Sequence, residues 1–269
     1  MRRALAWIMP GLLLIAADAH AAAWTLKAGE GQILNNVYYY NSDRFIDSAG
    51  HGIEQPDYNK IEYNPYIEYG LSDSATIGIS PSFQYVRQDI PGVDEENANL
   101  ADTEFFFRKR LFFDGENVIA LQPLVKIPGP YDKSDFPVLG QDQVDAELRL
   151  LYGRSFGQGL RHYVNLEAAY RFRAEAPDDE LRFASTLGYR LNDRWQLLGE
   201  VNATISLGDD SAAAPLLANS LDYDLVKLQL SAIYWLTPLD ALQFGLYHSV
   251  WERNTGEGGG FLISYWYRF

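Results

Sequence analysis

The chain has no cysteine, which excludes a disulfide framework, a thiolate metal site and a cysteine nucleophile together. Histidine is nearly as scarce, with four residues in all. Basic residues are in deficit, 22 Lys and Arg against 36 Asp and Glu, so the electrostatic footprint of a nucleic-acid binder is missing. Long apolar runs are missing too. The run from Ala4 to Ala17 falls short of the about 20 residues that a spanning helix needs, and no later stretch is as long and apolar. If this chain sits in a membrane, strands must do the spanning. Aromatics, by contrast, abound: 18 Tyr, 14 Phe and 6 Trp would supply girdles at two membrane interfaces.

The two ends of the chain indicate a compartment. Arg2 and Arg3 precede the apolar run, and the small-residue sequence Ala19-His20-Ala21 follows it. That order predicts a secretory signal peptide over residues 1–21, cleaved after Ala21, and leaves residues 22–269 for a single barrel. At the other end, Phe261, Ile263, Tyr265, Tyr267 and Phe269 fall on one face of an extended strand, with Leu262, Ser264, Trp266 and Arg268 on the opposite face. A terminal strand of this kind ending in Phe269 resembles the assembly signal of bacterial outer-membrane β-barrels, so the barrel-assembly machinery is an expected partner. An edge strand of a soluble sandwich is the alternative.

From Thr25 the sequence breaks into amphipathic segments separated alternately by tight turns and longer polar loops, the two-length rhythm of an up-and-down barrel. Turn-forming residues cluster at 70–74, 113–117, 156–160, 191–194 and 237–241. Five short turns and two termini on one rim imply twelve strands. The alternation puts these at 25–41, 57–71, 74–90, 99–113, 117–128, 141–156, 160–174, 179–191, 194–208, 220–237, 241–253 and 258–269, each end good to roughly 2 to 4 residues. The intervening loops, at 42–56, 91–98, 129–140, 175–178, 209–219 and 254–257, would face outward. The predicted fold class is therefore all-β, a transmembrane antiparallel up-and-down barrel, in contact with outer-membrane lipid and lipopolysaccharide.

Apolar positions go to lipid and polar ones to the lumen. On the third segment Ile77, Ile79, Phe83 and Tyr85 oppose Thr76, Ser80, Ser82 and Gln84, whereas the first segment, GQILNNVYYY, alternates poorly and leaves its facing open. Hairpin geometry then locates the lumen charges. A symmetric Phe113 to Asn117 turn sets Glu104 opposite Lys126 and Arg108 opposite Gln122. A turn centred on Gln158 sets Asp145 opposite Arg171 and Arg149 opposite Glu167. Further candidate lumen-lining residues are Lys60, Glu62, Glu68, Glu147, Arg173, Arg182, Arg190, Glu200 and Lys227. Such pairs either staple a narrow lumen shut or line a polar constriction, and twelve strands is the size at which both remain open. Neither sign dominates, which fits a neutral, zwitterionic or mildly polar solute better than a polyanion or a selected cation.

The outer loops are acidic, with Asp94, Glu95, Glu96, Asp132, Asp135, Asp142, Asp178, Asp179, Asp209 and Asp210. A solvated surface explains them, a divalent-cation site is the alternative, and no calcium-loop spacing is present. No metal or other cofactor is implied. Catalysis finds little purchase. His248-Ser249 are adjacent strand residues on opposite faces, and a Ser-His pair has to lie within hydrogen-bond reach. His51 or His248 with an unassigned Ser is the fallback for a hydrolase, and no enzyme is expected.

Two segments carry a family likeness. Trp24-Thr25-Leu26-Lys27-Ala28-Gly29-Glu30-Gly31-Gln32 and Tyr66-Ile67-Glu68-Tyr69-Gly70-Leu71-Ser72-Asp73 resemble outer-membrane barrels related to the phenol meta-pathway transporter-like family, in which GEGQ opens the first strand and a YGLTD-type turn closes the second. Ser72 stands where the family has Thr. The resemblance implies a barrel with a role in uptake of small, often aromatic or apolar compounds, and it designates no binding residue. The expectation is a passive channel for a small, neutral or mildly polar solute, aromatics included, in the outer membrane of a Gram-negative bacterium. A non-conducting structural or assembly-partner barrel comes second, an outer-membrane hydrolase third.

Overall fold

A computed structural model describes residues 23–90, 93–132, 136–208 and 222–269. The expected signal peptide lies outside the described residues, as do Asp135, Asp209 and Asp210 of the acidic loops. Twelve antiparallel strands close on themselves, each paired with its neighbour in sequence and β1 with β12. They are β1 Gly31–Ile46, β2 Gly52–Ser72, β3 Ala75–Ile90, β4 Val93–Phe113, β5 Asn117–Ile127, β6 Asp145–Phe156, β7 His162–Arg173, β8 Glu180–Arg190, β9 Trp195–Ser206, β10 Asp224–Trp235, β11 Asp240–Arg253 and β12 Thr255–Arg268. Closure leaves no edge with unpaired backbone groups, the condition for strands in hydrocarbon. At the seam Gly31 and Phe269 exchange both backbone bonds, at 2.8 and 2.9 Å.

The outer surface is the apolar belt that the alternation predicts. Leu230 and Leu246 face each other across β10 and β11, each about 70 % exposed and hence available to lipid. Aromatic rings stack outward across strand pairs, as with Tyr39 and Phe261 at 5.2 Å.

Three local expectations are corrected. Residues 25–30 are not strand; they turn into the barrel, as described below. The β1–β2 and β3–β4 hairpins are longer than their polar sequences suggested, with Arg44 paired to Glu54 and Arg87 to Glu96, so most of 42–56 and 91–98 is strand. The ladder places these charges beyond the apolar belt, where hydrophilic side chains carry no cost. Finally, residues 128–132 and 136–144 between β5 and β6 fold back over the barrel interior. Tyr131 and Leu139 are buried there against Val86 and Ala101. Burial, followed by the hydrogen bond that Tyr131 Oη donates to Asp102 Oδ1 at 2.6 Å, raises the tyrosine pKa and keeps that donor protonated.

Candidate functional site

The interior falls into two compartments. At the rim of the short turns, the chain before β1 enters the barrel. Gly29 N–H donates to the Gly70 carbonyl and Gly70 N–H to the Glu30 carbonyl, both at 2.9 Å, Thr25 Oγ1 donates to the Asp73 carbonyl at 2.8 Å, and the Ala28 N–H reaches Asp73 Oδ1 at 3.2 Å. Deeper in, Leu26 N–H donates to Thr76 Oγ1 at 3.0 Å and Ala23 N–H to Asn165 Oδ1 at 3.2 Å. Trp24 is seated among Val118, Ala120 and Leu151 and meets Tyr163 edge-on at 5.9 Å. Gly153 makes room for it: a Cβ there would lie 2.4 Å from the indole.

Around Trp24 the inner wall is apolar, against the simple rule that polar faces point to the lumen. Leu34, Tyr163, Leu198, Ile233, Trp235 and Trp266 form a buried cluster with Trp24 and Tyr66 against it. This explains why β1 alternates poorly. Leu34 points in to this cluster, while Asn35 points out and accepts from Tyr63 Oη at 2.9 Å. Trp235 is flanked by the guanidinium groups of Arg190 and Arg268, both at 4.9 Å.

Beneath this cluster Arg108, 1 % exposed, ties the segment to the wall. Its guanidinium pairs with Glu68 at 2.8 Å and donates to Gln122 Oε1 at 2.9 Å, Tyr66 Oη at 3.0 Å and the Trp24 carbonyl at 3.0 Å. Glu68 also accepts from Gln32 at 2.5 Å and from Tyr66 Oη at 2.8 Å. The two stretches that carried the family likeness thus meet in space, and Gln32, Tyr66, Glu68 and Asp73 hold the N-terminal segment in place. In sequence they read only as a strand start and a turn.

Toward the other rim the interior widens to a cavity of about 740 Å³. Its lining includes Tyr38, Tyr40, Tyr58, Lys60, Glu62 and Tyr247 on one side and Glu104, Lys126, Arg171, Arg173 and Arg182 on the other, with Lys227 and Tyr223 from β10 and the segment before it. The folded-back loop contributes Phe136 and residues 138–141. Space for the Tyr40 ring comes from β12: a Cβ at Gly258 would lie 2.6 Å from Tyr40 Oη.

Most of the charges form one ion-pair wall. Arg171 pairs with Glu104 at 2.6 Å and Glu147 at 2.8 Å, and Arg149 with Glu147 at 2.7 Å and Glu167 at 2.5 Å. Lys126 bridges Asp102 at 2.9 Å and Asp145 at 2.8 Å, while Arg173 takes Glu180 at 2.9 Å. Across the chamber Lys60 pairs with Glu62 at 2.9 Å. Glu200 is hydrogen-bonded to Gln229.

The β4–β5 expectation holds, with Glu104 opposite Lys126 and Arg108 bonded to Gln122. The β6–β7 register differs from the predicted one by two residues: Asp145 lies opposite Arg173, Glu147 opposite Arg171, and Arg149 opposite Ala169. The cause is the turn. Gly157 and Gly159 take φ of 80° and 68° around a single 3-10 turn, Gln158–Leu160, so the hairpin closes at Phe156 and His162 and its centre is Gly159 rather than Gln158. Arg149 still reaches Glu167 diagonally, and Arg171 lies 4.0 Å from Asp145. Elsewhere, His248 pairs with Leu228 on the outer face while Ser249 is buried inside, and His51 contacts Asp47 at 3.4 Å in the β1–β2 loop. Among the described residues no group of three or more His, Asp or Glu is placed to hold a metal ion.

Known proteins agree with this architecture. The solved COG4313 outer membrane channel from Pseudomonas putida F1 superimposes with a TM-score of 0.75 at 14 % identity, covering 93 % of this chain and 99 % of that one. The NanC porin follows at 0.55 and 9 % identity, covering 87 % and 98 %. The β domain of the Bordetella autotransporter BrkA reaches 0.50 at 11 %, covering 90 % and 100 %. These likenesses establish the fold. No curated protein matches the sequence. The family profile described as "Putative MetA-pathway of phenol degradation" matches residues 17–265, nearly the whole chain, and the protein belongs to that family.

Proposed function

We propose that this protein is an outer-membrane channel of a Gram-negative bacterium, through which a small, neutral or mildly polar solute, aromatics included, diffuses passively. The carrying observation is the 740 Å³ chamber inside a closed barrel, lined by tyrosines and paired charges. Its volume lies within the about 300 to 1,000 Å³ typical of small-molecule sites. Residues 23–28 and the cluster around Trp24 are the barrier on the short-turn side, so a passing solute has to displace or skirt them. The outer wall contacts lipid and lipopolysaccharide, and the β12 terminus at Phe269 engages the barrel-assembly machinery.

The structural-barrel reading draws support from the same cluster, because a dry aromatic core beneath the chamber also suits a lumen that never conducts. Bilayer recordings separate the two. The wild type should give small, discrete conductance steps and swell liposomes with neutral solutes. Trp24→Gly, which vacates the centre of the cluster, should conduct several-fold more. A barrel that is silent both as wild type and as Trp24→Gly would overturn the channel reading in favour of the structural one.

A further inference from the structure

The sequence places one proline in the middle of β2 and another in the middle of β3, Pro65 and Pro81. Neither can donate a backbone hydrogen bond, which is why proline is nearly confined to sheet edges and bulges. Here the two face each other. Tyr63 pairs with Phe83 and Ile67 with Ile79 in one register, which sets Pro65 opposite Pro81, and among the described residues no ladder pair forms at the three positions between. That triple gap marks Pro65 and Pro81 as a position where both hydrogen bonds of the rung are lost. Both donors are missing inside a wall where lipid offers no replacement. Across β8 and β9, by contrast, every position from Glu180 to Arg190 is paired.

Side chains stand in for the missing rung. From the inner face Asn64 Nδ2 donates to the Pro81 carbonyl at 2.9 Å and to Ser80 Oγ at 3.0 Å, and Ser80 Oγ returns a bond to Asn64 Oδ1 at 3.2 Å. Unlike a ladder rung, these bonds are made by rotatable groups, for which water or a polar solute can substitute. Asn64, Ser80 and Ser82 line the chamber. Pro65 and Pro81 lie on the outward rows of Tyr63 and Phe83, whose rings stack at 6.1 Å on the lipid side. One interruption therefore lies between the chamber surface and the hydrocarbon. Its depth is also significant, because the next inward residue on β2, Tyr66, packs against the cluster that bars the short-turn side. Pro123 interrupts β4 and β5 too, but there Phe107 opposite keeps its N–H, and the inner face is sealed by Arg108 and Gln122, 1 % and 4 % exposed.

We propose that the β2–β3 seam at Pro65 and Pro81 is a lateral window, through which a small solute of low polarity leaves the chamber for the membrane hydrocarbon. This deepens the channel reading and rests on it for entry into the chamber from the far rim. A solute halted at the Trp24 cluster then has an exit that leaves the cluster in place. Opening requires Asn64 to release Ser80 and the Pro81 carbonyl and the Tyr63 and Phe83 rings to part, with no backbone bond to break at the central rung. The rest of the closed ladder keeps the two strands in register.

The chain has no cysteine, so one engineered disulfide can lock the seam. The register sets Asn64 opposite Ser82 in the narrow class of antiparallel pair, about 4.5 Å between Cα atoms and within disulfide reach. Intact cells carrying the full-length barrel are given 1-N-phenylnaphthylamine, which fluoresces on entering lipid. Cells with the wild type should take it up several-fold faster than cells without the barrel. Asn64→Cys with Ser82→Cys should lose that gain when oxidised and regain it on reduction. Ser185→Cys with Val201→Cys, a lock across the complete β8–β9 ladder, should take up the probe equally fast in both states. Pro65→Val with Pro81→Val, which restores both donors, should slow uptake and also slow amide exchange at Tyr63, Ile67, Ile79 and Phe83 in the purified barrel. No gain from the wild type, uptake indifferent to the seam lock, uptake slowed as much by the β8–β9 lock, or valine variants that exchange and transport like the wild type would each overturn the window. Wild-type conductance in a bilayer together with lock-indifferent uptake sinks this inference alone; lock-sensitive uptake by a barrel silent in the bilayer sinks the through-pore reading alone.

Discussion

Arg108 shows how a single side chain joins wall and N-terminal segment. Among the described residues Glu68 pairs with no other cation, and both side chains are sealed from solvent. Removing the guanidinium therefore strands a buried carboxylate, and Arg108→Met should cost about 3 to 5 kcal/mol of stability. Adding Glu68→Gln removes the charge and keeps acceptors for Gln32 and Tyr66, so the double variant should recover most of the loss. The temperature at which the folded band disappears on gels reads both effects; equal losses in the single and double variants would show that packing, not charge, sets the cost. Asp114 belongs to the same scale but lies in water, in the β4–β5 turn. The N–H of Asn117, at 2.7 Å, lowers its pKa below the usual carboxylate value, helped by the Asn117 side chain and by the N–H of Glu116 at 3.0 Å. A depressed folded-state pKa gives stability that is present above the unfolded value of about 4 and is lost as the pH falls through the folded value. Asp114→Asn should flatten that acid limb by lowering stability at neutral pH toward the acid value, with little change at pH below the folded-state pKa.

Among the elements, β12 carries two tasks. Its odd positions from Phe261 to Phe269 face lipid, and its backbone closes the barrel against β1, where Phe269 N–H donates to the Gly31 carbonyl at 2.9 Å. Deleting Phe269 removes both seam bonds that it shares with Gly31 and the last ring of the apolar row. Assembled barrel in the outer membrane should fall several-fold while export to the periplasm continues, as fractionation would show; unchanged assembly would remove the terminal strand from the assembly signal. Its faces were legible in sequence because alternation is a local property. The facing of β1 was not, since Leu34 is turned inward by a cluster assembled from β7, β9, β10, β11 and β12.

For the whole molecule, turn length sets the expected orientation. The five short turns, the start of β1 and the end of β12 gather on one rim; on the other, the β5–β6, β7–β8 and β9–β10 connections are long, while Asn254 alone joins β11 to β12. A cysteine placed at Gly50, where φ is 83° and nothing crowds the position, should react with an impermeant maleimide on intact cells. One placed at Asn192 in the β8–β9 turn should react only after the outer membrane is opened. Reversed labelling would overturn the orientation, and with it the outward facing of the loops opposite the short turns.

Strand number, turn positions, the lipid-facing rows and the β4–β5 charge alignment were determined by the sequence alone, because each depends on period-two alternation or on a turn that contains its own geometry. The β6–β7 register was decided in three dimensions, by two glycines at positive φ that moved the centre of the turn by one residue and every cross-strand partner by two. The inward fold of residues 23–30, 128–132 and 136–144 was likewise invisible in sequence. Those segments are held by contacts such as Ala23 to Asn165, 142 residues apart, and Asn97 to the Pro137 carbonyl, 40 apart. Which cations found partners was settled the same way: the sequence supplies both signs along the wall, but only the closed barrel decides that Arg171 takes both Glu104 and Glu147.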